Sequence, residues 1–494
     1  MKTGFDSKLY MKKQYEHILE RIDMAGGKLY LEFGGKLFDD LHASRVLPGF
    51  DCNAKIKLLQ KLKDKAEIIF AISADDIERN KIRADYGITY GTEIMRLIDV
   101  MGDMGIMVNS VVITKFKEQP QAVIYKTKLE NRGIKVYTHT LTKGYPTDVD
   151  TIVSDEGYGK NAYIETTRPL VVVNAPGPNS GKLATCLCQL YHEYKRGVKA
   201  GYAKFETFPV WNLPLKHPVN IAYEAATADI KDVNMIDYFH LEAYGVTTVN
   251  YNRDVEIFPV LEAMFKKIYG DSPYKSPTDM GVNMNGFCIF DDDACCEASK
   301  QEIIRRYYAA ACGVRRGTSE PQELRKIELI MNSLGLTAAD RPVVGAALQR
   351  AQETGAPAVA LELADGSIVT GKTSSLLGAS SACLLNALKA LAGIDKKLPL
   401  IAPGVIEPIQ HLKVEHLGNH NPRLHTDELL IALSICAVTN PMAGYAIDQL
   451  GKLRGCEAHS SVILSHVDED LFKKLGVNIT FEPKYQAKKL FHKN

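Results

Sequence analysis

The chain of 494 residues is long enough for roughly two to four domains with sizeable cores. Its 46% hydrophobic and 24% charged content is that of an ordinary soluble globular protein, and a formal net charge of +1 gives no footprint for nucleic acid or an anionic membrane. The opening MKTGFDSKLYMKKQYE lacks a signal-peptide core and no run of about 18 apolar residues exists, so a cytoplasmic chain without a membrane helix is expected.

Residues 29–165 contain the strand-like runs KLYLEF, AEIIFAIS, SVVITKF and KVYTHTL, with helical patterns such as NAKIKLLQKLKD and YGTEIMRLIDVMGDMG between several of them. The alternation predicts a mostly parallel, doubly wound α/β sheet in a first domain over 1–229. Next comes VVVNAPGPNSGKLATCLCQLYHEYKR, Val171 to Arg196, which reads as strand, glycine-containing loop and helix with a lysine at its start. That arrangement cradles phosphate, because free N–H groups and the positive end of the helix dipole face the anion. Against the pattern G-x-x-x-x-G-K-[ST], Gly181 and Lys182 fit, Pro176 replaces the first glycine, and Leu183 replaces the magnesium-binding hydroxyl.

The predicted phosphate ligands are Gly177, Asn179, Ser180, Gly181 and Lys182. Thr185 is the substitute hydroxyl, although two residues further along a helix points about 200° away. A cation at a helix start opposes the dipole by roughly 0.3–1 kcal/mol, so Lys182→Ala is expected to stabilise the ligand-free protein slightly. HPVNIAYEAATADI reads as a further strand, with Glu224 and Asp229 near its carboxyl end, where ligands of such sheets bind.

From 230 to 332 helical patterns dominate, among them VEIFPVLEAMFKKIYG and ACCEASKQEIIRRYYAAACG, and a mainly helical subdomain is expected. FDDDACCEASK offers Asp291, Asp292 and Asp293 either to a metal or to a helix dipole; the second reading is preferred and no metal is assigned. The ten cysteines include no C-x-x-C pair, so neither a zinc ribbon nor a thioredoxin-like centre is expected.

A separate C-terminal α/β domain is expected over 333–494. GSIVTGKT, Gly366 to Thr373, matches the phosphate-loop pattern letter for letter, but AVALELADGSIVTGK reads as strand, Asp365-Gly366 turn and strand, which cannot wrap a phosphate. The order of helix, hairpin, glycine turn, helix, strand and proline-started helix over 337–412 resembles the cytidine-deaminase superfold. Zinc deaminases need a His or Cys with a nearby Glu, then P-C-x-x-C. Here Cys383 is followed by Leu385 where the glutamate belongs, and Gly404 and Glu407 stand at the cysteine positions, so no zinc and no deamination are expected. His411, His416, His420 and His425 crowd one loop-rich stretch without a helical i, i+4 pair, and are not assigned to a metal.

The opening KTGFDSKLYMKKQYEHILERI, the APGPNSGK loop and the length together resemble an uncharacterised bacterial family, domain of unknown function 1846. The resemblance implies an N-terminal domain similar to phosphate-loop NTPases, a helical middle and a separate C-terminal domain. Two functional readings stand. One is a nucleotide- or phosphate-binding enzyme, for instance an ATP-dependent phosphotransferase. In it Lys182 supplies the cation, Glu224 or Asp229 holds magnesium and Arg168 neutralises transition-state charge. The other is a non-catalytic ligand-sensing or assembly protein with degenerate sites. The expected partner is a small phosphate-bearing molecule, with no nucleic acid and no membrane. A homo-oligomer is expected, because near-zero net charge sets little repulsion between copies.

Overall fold

The computed structural model describes residues 2–83, 87–230 and 232–486. It divides into two compact units, residues 2–299 and residues from 300 onward, and the division falls within the helix Asp292–Arg316.

The N-terminal unit is built on a seven-stranded sheet in which every pairing is parallel. Its strands are β1 (Leu29–Phe33), β2 (Ala66–Ser73), β3 (Met107–Thr114), β4 (Lys135–Thr138), β5 (Leu170–Asn174), β6 (Gly201–Phe205) and β7 (Gly281–Val282). Their spatial order is β7-β6-β1-β5-β2-β3-β4. Because β5 returns between β1 and β2, Val172 lies level with both Leu31 and Ile68. The chain leaves β1 in one direction and leaves β5 in the other, a topological switch of the kind at which sheets of this class bind ligands outside their carboxyl ends.

Alternation of side chains divides the strands between two cores. Leu31, Phe33, Ile68, Phe70, Ile72 and Val172 face a core completed by helices such as Ala54–Lys61 and Tyr90–Asp103. Tyr30, Ile69, Ala71, Val171, Val173 and Tyr202 face the other, completed by the helices Lys182–Lys195 and Asn252–Tyr269. Burial on both faces explains why AEIIFAIS and LVVVN are continuous apolar runs rather than alternating ones.

Two expectations change here. HPVNIAYEAATADI forms the helix Pro218–Ala226, not a strand; His217 accepts the Val219 N–H as its N-cap and Pro218 occupies the first helical position. The stretch from 230 is not a separate helical subdomain up to 332. Phe258, Leu261, Met264, Phe265 and Ile268 complete one core of the sheet, and Gly281–Val282 adds its edge strand beside β6. The apolar stripe of Asn252–Tyr269 needs a partner, and the sheet supplies it.

The C-terminal unit contains a four-stranded sheet with the order β9-β8-β10-β11, where β8 is Ala358–Glu362, β9 Ile368–Lys372, β10 Glu457–Ser460 and β11 Asn478–Phe481. β8 pairs antiparallel with β9 and β10, and β10 pairs parallel with β11. GSIVTGKT is a hairpin strand as expected. Gly371 is required there because the backbone of Cys383, on the helix Ala379–Leu391, lies where a Cβ would stand. The strand expected just before the proline-started helix is not formed: Leu400 and Ile401 pack into the core from irregular chain, and Pro403 starts the helix Pro403–His411 that carries Gly404 and Glu407.

Arg341 is fully buried in this unit and donates to Glu457 at 2.5 Å and to the carbonyls of Ala458 and Asn478 at 3.0 and 2.8 Å. Arg305 holds the other oxygen of Glu457 at 2.9 Å. Among the described residues no helix is long and apolar enough to cross a membrane.

Candidate functional site

At the carboxyl end of β5 the loop 175–181 turns into the helix Lys182–Lys195. The loop is held from neighbouring strands and from within. Thr114, the last residue of β3, donates to the Ser180 carbonyl at 2.8 Å, and Ser180 Oγ donates to the Gly177 carbonyl at 3.0 Å. Gly177 packs against the Tyr90 ring. Gly181 adopts φ 91°, a left-handed conformation that favours glycine, and immediately precedes the helix, whose first turn has no side-chain cap.

Lys182 does not project into solvent. Its side chain is 15% exposed, and Nζ lies 3.8 Å from Glu32 Oε1. The other oxygen of Glu32 accepts the Tyr202 hydroxyl at 2.8 Å. Burial and the Glu32 carboxylate hold that phenol well above its ordinary pKa.

Next to this pair, Lys204 Nζ lies 3.0 Å from Glu206 Oε1 and also contacts Asp254, in the first turn of Asn252–Tyr269. Burial alone pulls the Lys204 ammonium down, but Asp254, Glu206 and Glu32 outweigh it and keep the proton on. One lysine therefore faces two carboxylates. Burial pushes Glu206 up to about 7 against the pull of Lys204, with Asp254 and Glu32 adding to the rise. A carboxyl titrating near neutral pH is suited to general acid–base work. Lys55, buried beside the turn after β1, bonds the Gly34 carbonyl at 3.3 Å and Asp40 at 3.0 Å.

Gly177, Asn179, Ser180 and Gly181 lie in the loop and Lys182 opens the helix. The other candidates do not converge on this loop. Thr185 is buried and donates its hydroxyl to the Gly181 carbonyl at 2.9 Å, so it is committed within the helix. Arg168 precedes β5 at the opposite, amino end of the strand, where its side chain bonds the Lys63 carbonyl at 2.5 Å. Glu224 lies on the helix Pro218–Ala226 and accepts the Asn234 N–H at 3.4 Å, while Asp229 is exposed in the following turn. Glu32, Tyr202, Lys204, Glu206 and Asp254 were missed. The available signal was a charge inside each of the short strands LYLEF and GYAKF.

In the C-terminal unit Cys383 is buried, its thiol directed at the Val369 carbonyl at 3.6 Å. His425 is paired with Asp468 at 3.1 Å, whereas His411 and His416 contact each other ring to ring.

The chain is thus an α/β protein whose N-terminal unit gathers lysines and carboxylates at the carboxyl end of a parallel sheet. It belongs to the DUF1846 family: the N-terminal domain of unknown function DUF1846 matches residues 3–335 and the C-terminal one matches 339–491. It is 58% identical over 492 residues, covering 100% of both chains, to a UPF0371 protein of Streptococcus pneumoniae serotype 19F (strain G54) and to another of strain JJA. A UPF0371 protein of serotype 2 (strain D39 / NCTC 7466) is 57% identical over the same length.

Proposed function

We propose that the N-terminal unit binds a phosphate-bearing small molecule at the carboxyl end of its sheet and transfers a proton through Glu206. The observation that carries this reading is the uncapped start of Lys182–Lys195, entered through left-handed Gly181, with the Lys182 ammonium at the same end. In this reading the N–H groups of the first turn and Lys182 hold the phosphate. Glu206, the surplus carboxylate beside Lys204, exchanges the proton. Glu32 and Asp254 already face lysines, so any magnesium enters with the ligand, as with ATP. A phosphotransferase is one form of this reading.

Equilibrium dialysis of the full chain against inorganic phosphate, ATP with magnesium and a panel of sugar phosphates tests it. Saturable binding lost in Lys182→Ala and kept in Glu206→Gln is expected. Binding unchanged in Lys182→Ala places the ligand elsewhere. In turnover assays of the same ligands, activity unchanged in Glu206→Gln removes Glu206 as the proton carrier, and a wild type that binds but turns over none of them makes the non-catalytic sensing role the correct one. A symmetric homo-oligomer is part of the proposal, and light scattering that returns only the 54.7 kDa monomer at micromolar concentration removes it.

A further inference from the structure

A second cluster in the N-terminal unit shares no residue with the lysine–carboxylate network. His217, the N-cap of Pro218–Ala226, faces Asp292 and Cys296, which lie one turn apart at the start of Asp292–Arg316. His217 Nε2 is 3.1 and 3.2 Å from the two oxygens of Asp292 and 3.5 Å from Cys296 Sγ. Sγ in turn is 3.8 Å from Asp292 Oδ2. The His217 side chain is 8% exposed and that of Asp292 is 59% exposed, so a buried nitrogen meets an open carboxylate side.

We propose that His217, Asp292 and Cys296 form a three-ligand site for a divalent transition metal of the zinc class. Tetrahedral zinc, bound at about 2.0–2.1 Å to nitrogen, about 2.3 Å to sulfur and about 2.0–2.2 Å to oxygen, spaces its donors about 3.6 Å (N to S), 3.4 Å (N to O) and 3.6 Å (S to O) apart. The spacings here lie within about 0.3 Å of those values. A mixed nitrogen, sulfur and oxygen donor set suits zinc or cobalt and not magnesium or calcium, which take oxygen alone. Three protein ligands with the fourth position open to solvent is the arrangement that admits water or a substrate.

The second ring nitrogen sets the strength of the site. Nδ1 accepts the Val219 N–H at 3.2 Å, so in the metal-free ring the proton is on Nε2 and is directed at Asp292. Metal uptake displaces that proton from Nε2 and releases the Cys296 thiol proton to solvent; the ring either takes a proton at Nδ1 and gives up the Val219 bond, or loses its proton to solvent as well and coordinates as an anion. Either event opposes binding, so the ion is expected to exchange. This differs from the sequence reading, in which Asp292 served only a helix dipole and no metal was assigned. His217 lies 75 residues from Asp292 along the chain, beyond the reach of any spacing motif.

Cobalt titrated into the full chain tests the site without any activity. A thiolate-to-cobalt absorption band that saturates at one equivalent and is displaced by zinc is expected. Cys296→Ser should lose the band, while Cys52→Ser, at the other half-exposed cysteine, should keep it. His217→Asn should also lose the band while retaining a side chain able to cap the helix. Lys182→Ala should keep it, which separates this site from the proposed phosphate loop. No band in the wild type, or a band that survives in Cys296→Ser or in folded His217→Asn, overturns the proposal.

Discussion

Replacing Lys182 by alanine in the ligand-free protein sets two effects against each other. The helix dipole favours the substitution by roughly 0.3–1 kcal/mol, which is what the sequence reading used. The structure adds Glu32 at 3.8 Å. At an effective dielectric of about 20, two unit charges at that distance attract by about 332/(20 × 3.8), roughly 4 kcal/mol before desolvation. Desolvation and solvent access cancel much of this, and Glu32 retains the Tyr202 hydroxyl. We expect Lys182→Ala to destabilise the ligand-free protein by about 1–2 kcal/mol, a fall in Tm of about 2–5 °C for a unit of this size. A double-mutant cycle with Glu32→Gln should return a coupling of about 1–2 kcal/mol. Scanning calorimetry without phosphate decides the matter. If Lys182→Ala is as stable as the wild type or more so, the ammonium is in effect solvated and the argument from Glu32 fails. With a ligand at 100 times its dissociation constant, the wild type should gain about 2.7 kcal/mol and the variant essentially nothing.

Arg341→Met should cost the C-terminal unit about 3 kcal/mol in urea unfolding, because Glu457 and two strand carbonyls lose a buried donor; a loss under about 1 kcal/mol contradicts this. Gly371→Ala should destabilise the same unit by at least about 2 kcal/mol, since the Cys383 backbone cannot retreat as a side chain can. Burial lowers His139 from 6.5 to about 4 while its ring bonds the Ala162 carbonyl, so the unfolded chain takes up a proton first. Its contribution is therefore full above pH 6.5 and lost as pH falls towards about 4, and His139→Gln should flatten that acid limb of the urea midpoint. Glu206 has the opposite sign: its native carboxyl keeps a proton that the unfolded chain has released above about 4.5, so stability falls as pH rises towards about 7, and Glu206→Gln should remove that fall.

The architecture of the sheet was legible where local pattern and tertiary demand agree. AEIIFAIS and LVVVN are apolar throughout because both faces of a parallel sheet are covered, and both form strands. The Asp365-Gly366 hairpin was legible from turn chemistry alone, against a letter-perfect phosphate motif. HPVNIAYEAATADI was misread because a short apolar run has no decisive period, and the His217 cap with Pro218 decided for helix. Arg168 was assigned to transition-state charge, but a strand separates it from the loop and puts the two at opposite ends of the sheet. Thr185 points inward because the helix must bury that side.

The charged network was hidden for a different reason. Glu32 and Lys204 lie level on adjacent strands, on the face covered by Lys182–Lys195 and Asn252–Tyr269. Directly opposed charges would ordinarily form one closed pair. Here each takes its nearest ionic partner from outside the strand pair: Glu32 from Lys182, Lys204 from Glu206 and Asp254. Both helices on that face begin at the carboxyl end of the sheet, so their first turns deliver Lys182 and Asp254 to the two strand charges. Asp254 suits a helix N-terminus and Lys182 opposes it. The unfavourable placement is the informative one. A lysine held against the dipole beside an uncapped turn is the placement on which the proposed phosphate site rests.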